Sequence, residues 1–223
     1  MTDLAASIDH TLLKADATRA EIQRLCDEAL ELGFAAVCVN PIWVAPCAGR
    51  LSGSAVRVCA AVGFPLGANR TETKVDEARR AVEQGATEMD VVIQLGLLRS
   101  GEDEAVEGDL RAVVEAAGQA RVKAILETSL LAHDEIVRAA WRAEAAGAHF
   151  VKTSTGFGSR GATVADVELL RRTVSPALGV KASGGIRARR DALALLAAGA
   201  TRLGTSAGVA MVRGIPDQGG DWP

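Results

Sequence analysis

The chain has 223 residues, 48% of them hydrophobic and 24% charged, with a formal net charge of −3. That size supports one large domain with a substantial core, and the charge leaves no basic footprint for nucleic acid or an anionic membrane. Aromatics are only 3% and tyrosine is absent, so platforms for stacking bases are not expected.

Ser7 to Leu13 reads as a first short strand and loop. Thr18 and Glu21 have the spacing of a capping box, and the helix they open runs to about Leu32, with Ile22, Leu25, Ala29 and Leu32 on one face and Gly33 as its stop. Ala35 to Val39 is a buried strand halted by Asn40-Pro41, and a helix is expected from about Ile42 to Arg50. Strand Val56–Val62 precedes helix Thr71–Gln84, and strand Glu88–Ile93 precedes helix Asp103–Gln119. Strand Val122–Leu126 leads to helix His133–Ala146, and strand Phe150–Lys152 leads to helix Val164–Val174. A seventh strand holds Val180-Lys181, helix Arg189–Ala198 follows, Arg202–Thr205 is the eighth strand, and a last short helix begins near Ala207.

Strand and helix thus alternate about eight times with short links. Three helices end in the same Gly-Ala step before a strand: Gly85-Ala86, Gly147-Ala148 and Gly199-Ala200. The strands read as continuous apolar runs, the pattern of a parallel sheet covered on both faces. The expected fold class is α/β, a single-domain (β/α)8 TIM barrel, with an open doubly wound sheet as the alternative. Residues 1–213 would form the barrel and 214–223, rich in Gly, Pro and Asp, a flexible tail. No apolar run approaches a membrane span and the N-terminus lacks a signal-peptide pattern, so a cytoplasmic location is expected. Four scattered cysteines suit reduced thiols, and His10, His133 and His149 form no ligand cluster, so no metal is expected.

Two strands end on lysine. Phe150-Val151-Lys152 opens into Thr153-Ser154-Thr155-Gly156, and Gly179-Val180-Lys181 opens into Ala182-Ser183-Gly184-Gly185. A buried ammonium is costly, so one such lysine would ordinarily snorkel or pair with a carboxylate. Two of them, each at the start of a small-residue loop, point to chemistry. Barrel active sites lie at the C-terminal strand ends, where Asp9, Cys38, Asn40, Asp90, Lys123, Glu127, Lys152, Lys181, Thr205 and Ser206 are the polar candidates.

Lysine chemistry needs a neutral amine, and an unperturbed lysine is less than ~0.1% neutral at pH 7. A second ammonium at roughly 4 Å, in an effective dielectric near 20, costs about 4 kcal/mol, or roughly 3 pK units, which would leave about a quarter of the amine neutral. One lysine can therefore activate the other toward carbonyls, with Asp90 moving protons. Asp90 could equally cap a helix or pair with a lysine, and Lys123 could be structural or add positive field. Cys38 reads as a small core residue near the mouth. The loops Ser183–Arg187 and Gly204–Gly208 look built for an anion, since glycine lets backbone N–H groups approach a phosphate and barrels often hold one there.

The segments CVNP (38–41), VGFPLG (62–67), MDVV (89–92), ILET (125–128), FVKTSTGFG (150–158), VKASGGIR (180–187) and GTSAGV (204–209) occur together with IDHTLLK (8–14). With this set the chain resembles the deoxyribose-phosphate aldolases, from Ile8 to about Val212. The resemblance implies a barrel enzyme of class I, needing no metal or other cofactor, that cleaves 2-deoxy-D-ribose 5-phosphate reversibly to acetaldehyde and D-glyceraldehyde 3-phosphate. It further implies that Lys152 forms the Schiff base, Lys181 lowers its pKa and Asp90 transfers protons. Gly156, Gly184, Gly185 and Ser206, with Gly204 and Thr205 beside them, would hold the phosphate. Asp9, Cys38, Asn40, Lys123 and Thr153 are possible supporting residues. The partner is a small phosphosugar, with neither nucleic acid nor membrane, and a dimer or larger homo-oligomer is implied. Gln94 stands where asparagine would be expected, Phe157 where some members carry lysine, and no C-terminal tyrosine is present. A silent phosphosugar-binding barrel and another Schiff-base aldolase of the same fold are the competing readings.

Overall fold

The computed structural model describes residues 4–215. Eight parallel strands close in sequence order: β1 (Ile8–Leu12), β2 (Ala36–Val39), β3 (Arg57–Val62), β4 (Glu88–Val92), β5 (Arg121–Ile125), β6 (Phe150–Lys152), β7 (Gly179–Ser183) and β8 (Arg202–Thr205). The last strand returns to the first through Ile8↔Leu203, Asp9↔Gly204 and His10↔Thr205, so the sheet has no edge and the open alternative is excluded.

Nine helices are seen among the described residues: α1 (Arg19–Leu32), α2 (Val44–Arg50), α3 (Thr71–Glu83), α4 (Leu95–Arg99), α5 (Asp103–Ala117), α6 (His133–Ala145), α7 (Val164–Thr173), α8 (Arg189–Ala197) and α9 (Gly208–Arg213). Local sequence explains their ends. The Glu21 N–H donates to Thr18 Oγ1 at 3.4 Å and the Thr18 N–H donates to the Glu21 carboxylate at 2.7 Å, which closes the expected capping box. The Gly-Ala steps share one geometry. Gly85, Gly147 and Gly199 take positive φ, and the N–H groups of Ala86, Ala148 and Ala200 reach back to Ala81, Ala143 and Leu195. Only glycine adopts that turn without strain, and the alanine after it starts the chain back into the barrel.

Two helical details differ from the expectation. The second helix starts at Val44, because Pro41–Trp43 first forms a tighter 3₁₀ turn. The short α4 was missed, since five residues with one buried side chain, Leu98, carry no readable period. Gly214 caps α9, and the expected tail beyond it falls mainly on residues 216–223, outside the described ones. No described helix is long and apolar enough to cross a membrane.

The strand interiors correct the sequence reading more deeply. One parity of strand residues, including Val37, Val58, Met89, Val122, Val151 and Leu203, joins the helices in a continuous apolar cluster. The other parity faces the barrel axis. On β2 and β3 it is small: Ala36, Cys38, Cys59 and Ala61 form their own cluster with Leu13. On the remaining strands it is charged, as in Glu88-Met89-Asp90. Those strands are therefore alternating, with apolar residues outward and ionic ones inward, rather than continuous apolar runs. The inner layers that usually hold branched aliphatics are given over to charge.

Candidate active site

Register sets the two lysines side by side, with Lys152 at the end of β6 opposite Lys181, which lies in the middle of β7 (Gly179–Ser183) rather than at the strand end expected for it. Both donate to the same oxygen: Lys152 Nζ lies 2.6 Å and Lys181 Nζ 2.7 Å from Asp90 Oδ2. Lys181 also reaches Asp9 Oδ2 at 2.5 Å. Lys123 lies below, 2.6 Å from Glu88, 3.1 Å from Asp90 and 3.6 Å from Asp9. Arg202 closes the ring, 2.6 Å from Asp9 and 3.0 Å from Glu88, with its guanidinium 5.4 Å from the centre of the Phe150 ring. All seven side chains are buried.

Burial alone would raise the Asp90 carboxyl, but Lys123, Lys152 and Lys181 outweigh it and hold Asp90 well below the usual carboxylate range. Asp9 is depressed in the same way, against burial, by Lys181, Lys123 and Arg202. Burial would lower Lys181, yet Asp9 and Asp90 raise it above the ordinary lysine value. Lys123 is likewise raised well above that value. The simple picture of one ammonium facing another is therefore corrected. A carboxylate lies between the two lysines, and Lys181 is a firmly charged group.

The cluster opens upward into a cavity of about 340 Å³, lined by Lys152, Gly156, Ser183, Gly184, Gly185 and Ser206 among others. Lys152 is the one member of the cluster that lines it. Its loops are fixed by short-range bonds. The Glu127 carboxylate accepts from Thr155 N–H at 3.1 Å and from the Thr155 hydroxyl. Thr205 Oγ1 donates to the Ile186 carbonyl at 2.7 Å, which ties the loops after β7 and β8 together. Its hydroxyl hydrogen is thus committed within the protein. Gly204 serves the lysine as much as the loop: a Cβ there would stand 3.0 Å from Lys181 Cε and 2.9 Å from Ser183 Cβ.

Residues 4–215 match the model of the DeoC/LacD family aldolases. The chain belongs to that family. It is 57% identical over 213 residues to a deoxyribose-phosphate aldolase of Geobacillus sp. (strain WCH70), covering 95% of this chain and 96% of the relative. It is 55% identical to one from Streptococcus uberis (strain ATCC BAA-854 / 0140J), covering 96% and 97%. Among solved structures, the tetrameric deoxyribose phosphate aldolase from Aeropyrum pernix superposes with a TM-score of 0.89 at 38% identity, covering 94% of this chain and 89% of that one.

In this DeoC/LacD family member the supporting residues divide. Asp9 and Lys123 belong to the ionic cluster. Cys38 is fully buried with its Sγ 3.7 Å from Asp90 Oδ2. Thr153 bridges β6 and β7 by accepting from the Ser183 N–H at 3.1 Å. Asn40 stands apart and donates to the Leu13 carbonyl at 3.1 Å. Gln94 also lies outside the cluster and donates to Asp109 at 2.8 Å, beside the buried Lys74–Asp109 pair. Phe157 packs edge-on against Phe64 at 5.3 Å and lines the cavity. Glu88 and Arg202 were missed, although Glu88 sits two residues before Asp90, on the same face of the same strand. Among the described residues two close sets of potential metal ligands are found, Cys38–Cys59–Asp90 and Asp9–Cys59–Glu88. Their carboxylates are already bonded to Lys123, Lys152, Lys181 and Arg202, so this donor set suits ammonium and guanidinium rather than a divalent cation.

A pH consequence follows from the depressed carboxyls. Asp9 and Asp90 lie below their unfolded values, so their contribution to stability is present above the unfolded pKa of about 3.9 and is lost as pH falls from there. The melting temperature should change little from neutral pH down to about 5 and fall steeply below about 4, as a calorimetric pH series would record. An equal decline beginning near neutral pH would contradict the assigned charges.

Proposed function

We propose that this chain is a class I aldolase that cleaves 2-deoxy-D-ribose 5-phosphate reversibly to acetaldehyde and D-glyceraldehyde 3-phosphate. Family membership supports the reaction class, and the two relatives named as deoxyribose-phosphate aldolases at over half identity support the substrate. The observation that carries the residue roles is the position of Lys152, the only ammonium of the buried cluster that meets the cavity.

The charges suit that role. Four cations, Lys123, Lys152, Lys181 and Arg202, surround three carboxylates, Asp9, Glu88 and Asp90, so the buried cluster carries one positive charge too many when all are ionised. Losing one proton relieves it. Lys123 has three carboxylates within 4 Å and Lys181 and Arg202 have two each, while Lys152 has only Asp90. Lys152 is thus the cation with the fewest carboxylate partners and the one with open access to substrate.

The neutral Lys152 amine attacks the C1 aldehyde, and the carbinolamine loses water to give a protonated imine. The C3 hydroxyl then gives up its proton, the C2–C3 bond breaks, and its electrons pass to the imine nitrogen as an enamine. Protonation at C2 and addition of water release acetaldehyde and restore the amine. Asp90, touching Lys152 Nζ, is positioned to take and return protons, and Lys181 keeps that carboxylate ionised and oriented. At the far end, the loops holding Gly156, Gly184, Gly185 and Ser206 would receive the phosphate, with Lys14 and Arg187 lining the same cavity. A homo-oligomer, dimer or larger, is inferred from the tetrameric relative, and a cytoplasmic setting from the phosphorylated substrate.

Borohydride reduction in the presence of deoxyribose 5-phosphate, followed by peptide mass mapping, tests the reading. An irreversible adduct on Lys152 is expected. An adduct on Lys181 or Lys123 would reassign the nucleophile, and folded protein without any adduct would favour a silent binding barrel.

A further inference from the structure

Glu88 and Arg202 of the buried cluster never meet the cavity and have no part in the reaction as written. Glu88 lies at the start of β4 and Arg202 at the start of β8, on the side of the cluster away from the substrate. Glu88 is wholly buried, accepts from Arg202 at 3.0 Å, and is 2.6 Å from Lys123. Arg202 is also bound to Asp9, which in turn holds Lys181. A buried ion pair is weak evidence for stability, because well-packed apolar residues often serve as well. Placing this pair beneath a reactive amine therefore invites another reason.

We propose that Glu88 and Arg202 are positioning residues that set the charge of the cluster, and through it the pH at which Lys152 becomes a nucleophile. The inference rests on the imine reading given above. Every strand contributes to the environment of Lys152: Asp9 from β1, the Cys38 and Cys59 thiols from β2 and β3, Asp90 with Glu88 from β4, Lys123 from β5, Lys181 from β7 and Arg202 from β8. Arg57 approaches Glu88 at 3.6 Å from a half-exposed position, where solvent screens it, and Glu127 is committed to the Thr155 loop. With the cluster one positive charge in excess, each buried charge removed changes the balance by a whole unit in a medium that screens poorly.

The two residues should then act in opposite directions. Arg202→Met leaves three cations against three carboxylates, so Lys152 keeps its proton longer. The acidic limb of the rate of imine formation should move up by about one pH unit. Glu88→Gln leaves four cations against two carboxylates, and the same limb should move down by about one unit. Arg202→Lys keeps the charge and should leave the limb in place. The double variant Glu88→Gln/Arg202→Met removes one charge of each sign and should return the limb to the wild-type position.

The experiment is single-turnover borohydride trapping with deoxyribose 5-phosphate between pH 5 and 9, on full-length variants checked for folding by circular dichroism. Opposite shifts with restoration in the double variant support the proposal. Shifts in the same direction, or losses of rate without any shift, would show that the pair acts only through packing and would overturn it. If Glu88→Gln does not fold, the contrast between Arg202→Met and Arg202→Lys still decides. Failure of the wild-type protein to trap on Lys152 would overturn the imine reading instead, so the two are told apart.

Discussion

Replacing Lys152 with alanine should abolish turnover, lowering kcat by roughly 10⁴-fold or more, the scale seen when a covalent nucleophile is removed. The loss does not depend on the lysine being charged. Lys181 and Lys123 remain close by, but Lys181 is fully buried and bound to two carboxylates, and Lys123 is fully buried and bound to three. Neither lines the cavity, so neither can take over the attack. The loss should also be clean. Without Lys152 the remaining cluster has three cations and three carboxylates, and Asp90 still has Lys123 and Lys181. The variant should therefore fold and melt near the wild-type temperature. Steady-state assays with deoxyribose 5-phosphate, trapping and a melting curve would check all three. Substantial retained activity, or a trapped adduct elsewhere, would remove Lys152 from the role given to it.

How much of this was legible depends on which face of the strand a residue occupies. The barrel was readable because eight apolar segments and their helices announce themselves by period, and the helix stops at Gly33, Gly85, Gly147 and Gly199 are local chemistry. Lys152 and Lys181 stood out because they end apolar runs. Lys123 could be structural or add positive field because it lies inside its strand, and the register of β4 with β5, which pairs it with Asp90, is what joins the two. Glu88 and Arg202 open their strands, where a charged residue ordinarily faces solvent, so no local rule marks them as buried. The partnership of Asp9 with Lys181 spans 172 residues of sequence, and the closure of β8 onto β1 is what creates it. A two-lysine picture was as far as spacing could go. The third group between them is a consequence of topology.

That third group gives the last expectation. Asp90→Asn keeps the shape of the side chain and removes the one carboxylate that Lys152, Lys181 and Lys123 share. Four buried cations would then face two carboxylates. Breaking a buried ion pair by neutralising one partner typically costs about 3–5 kcal/mol, so the melting temperature should fall markedly. Catalysis should fall as well, by roughly 10²–10⁴-fold, since the proton acceptor beside the imine nitrogen is gone. The two effects separate by pH. The surplus positive charge in the variant is relieved when a lysine gives up a proton. Its stability should therefore rise from pH 6 toward 9, and more steeply than that of the wild-type protein, whose cluster has one surplus positive charge to relieve rather than two. The catalytic loss should persist at the alkaline end, because restoring a neutral Lys152 does not restore the carboxylate. Near wild-type turnover at pH 9 would reduce Asp90 to a counterion for the lysines. A deficit that survives there identifies it as the group that moves the proton.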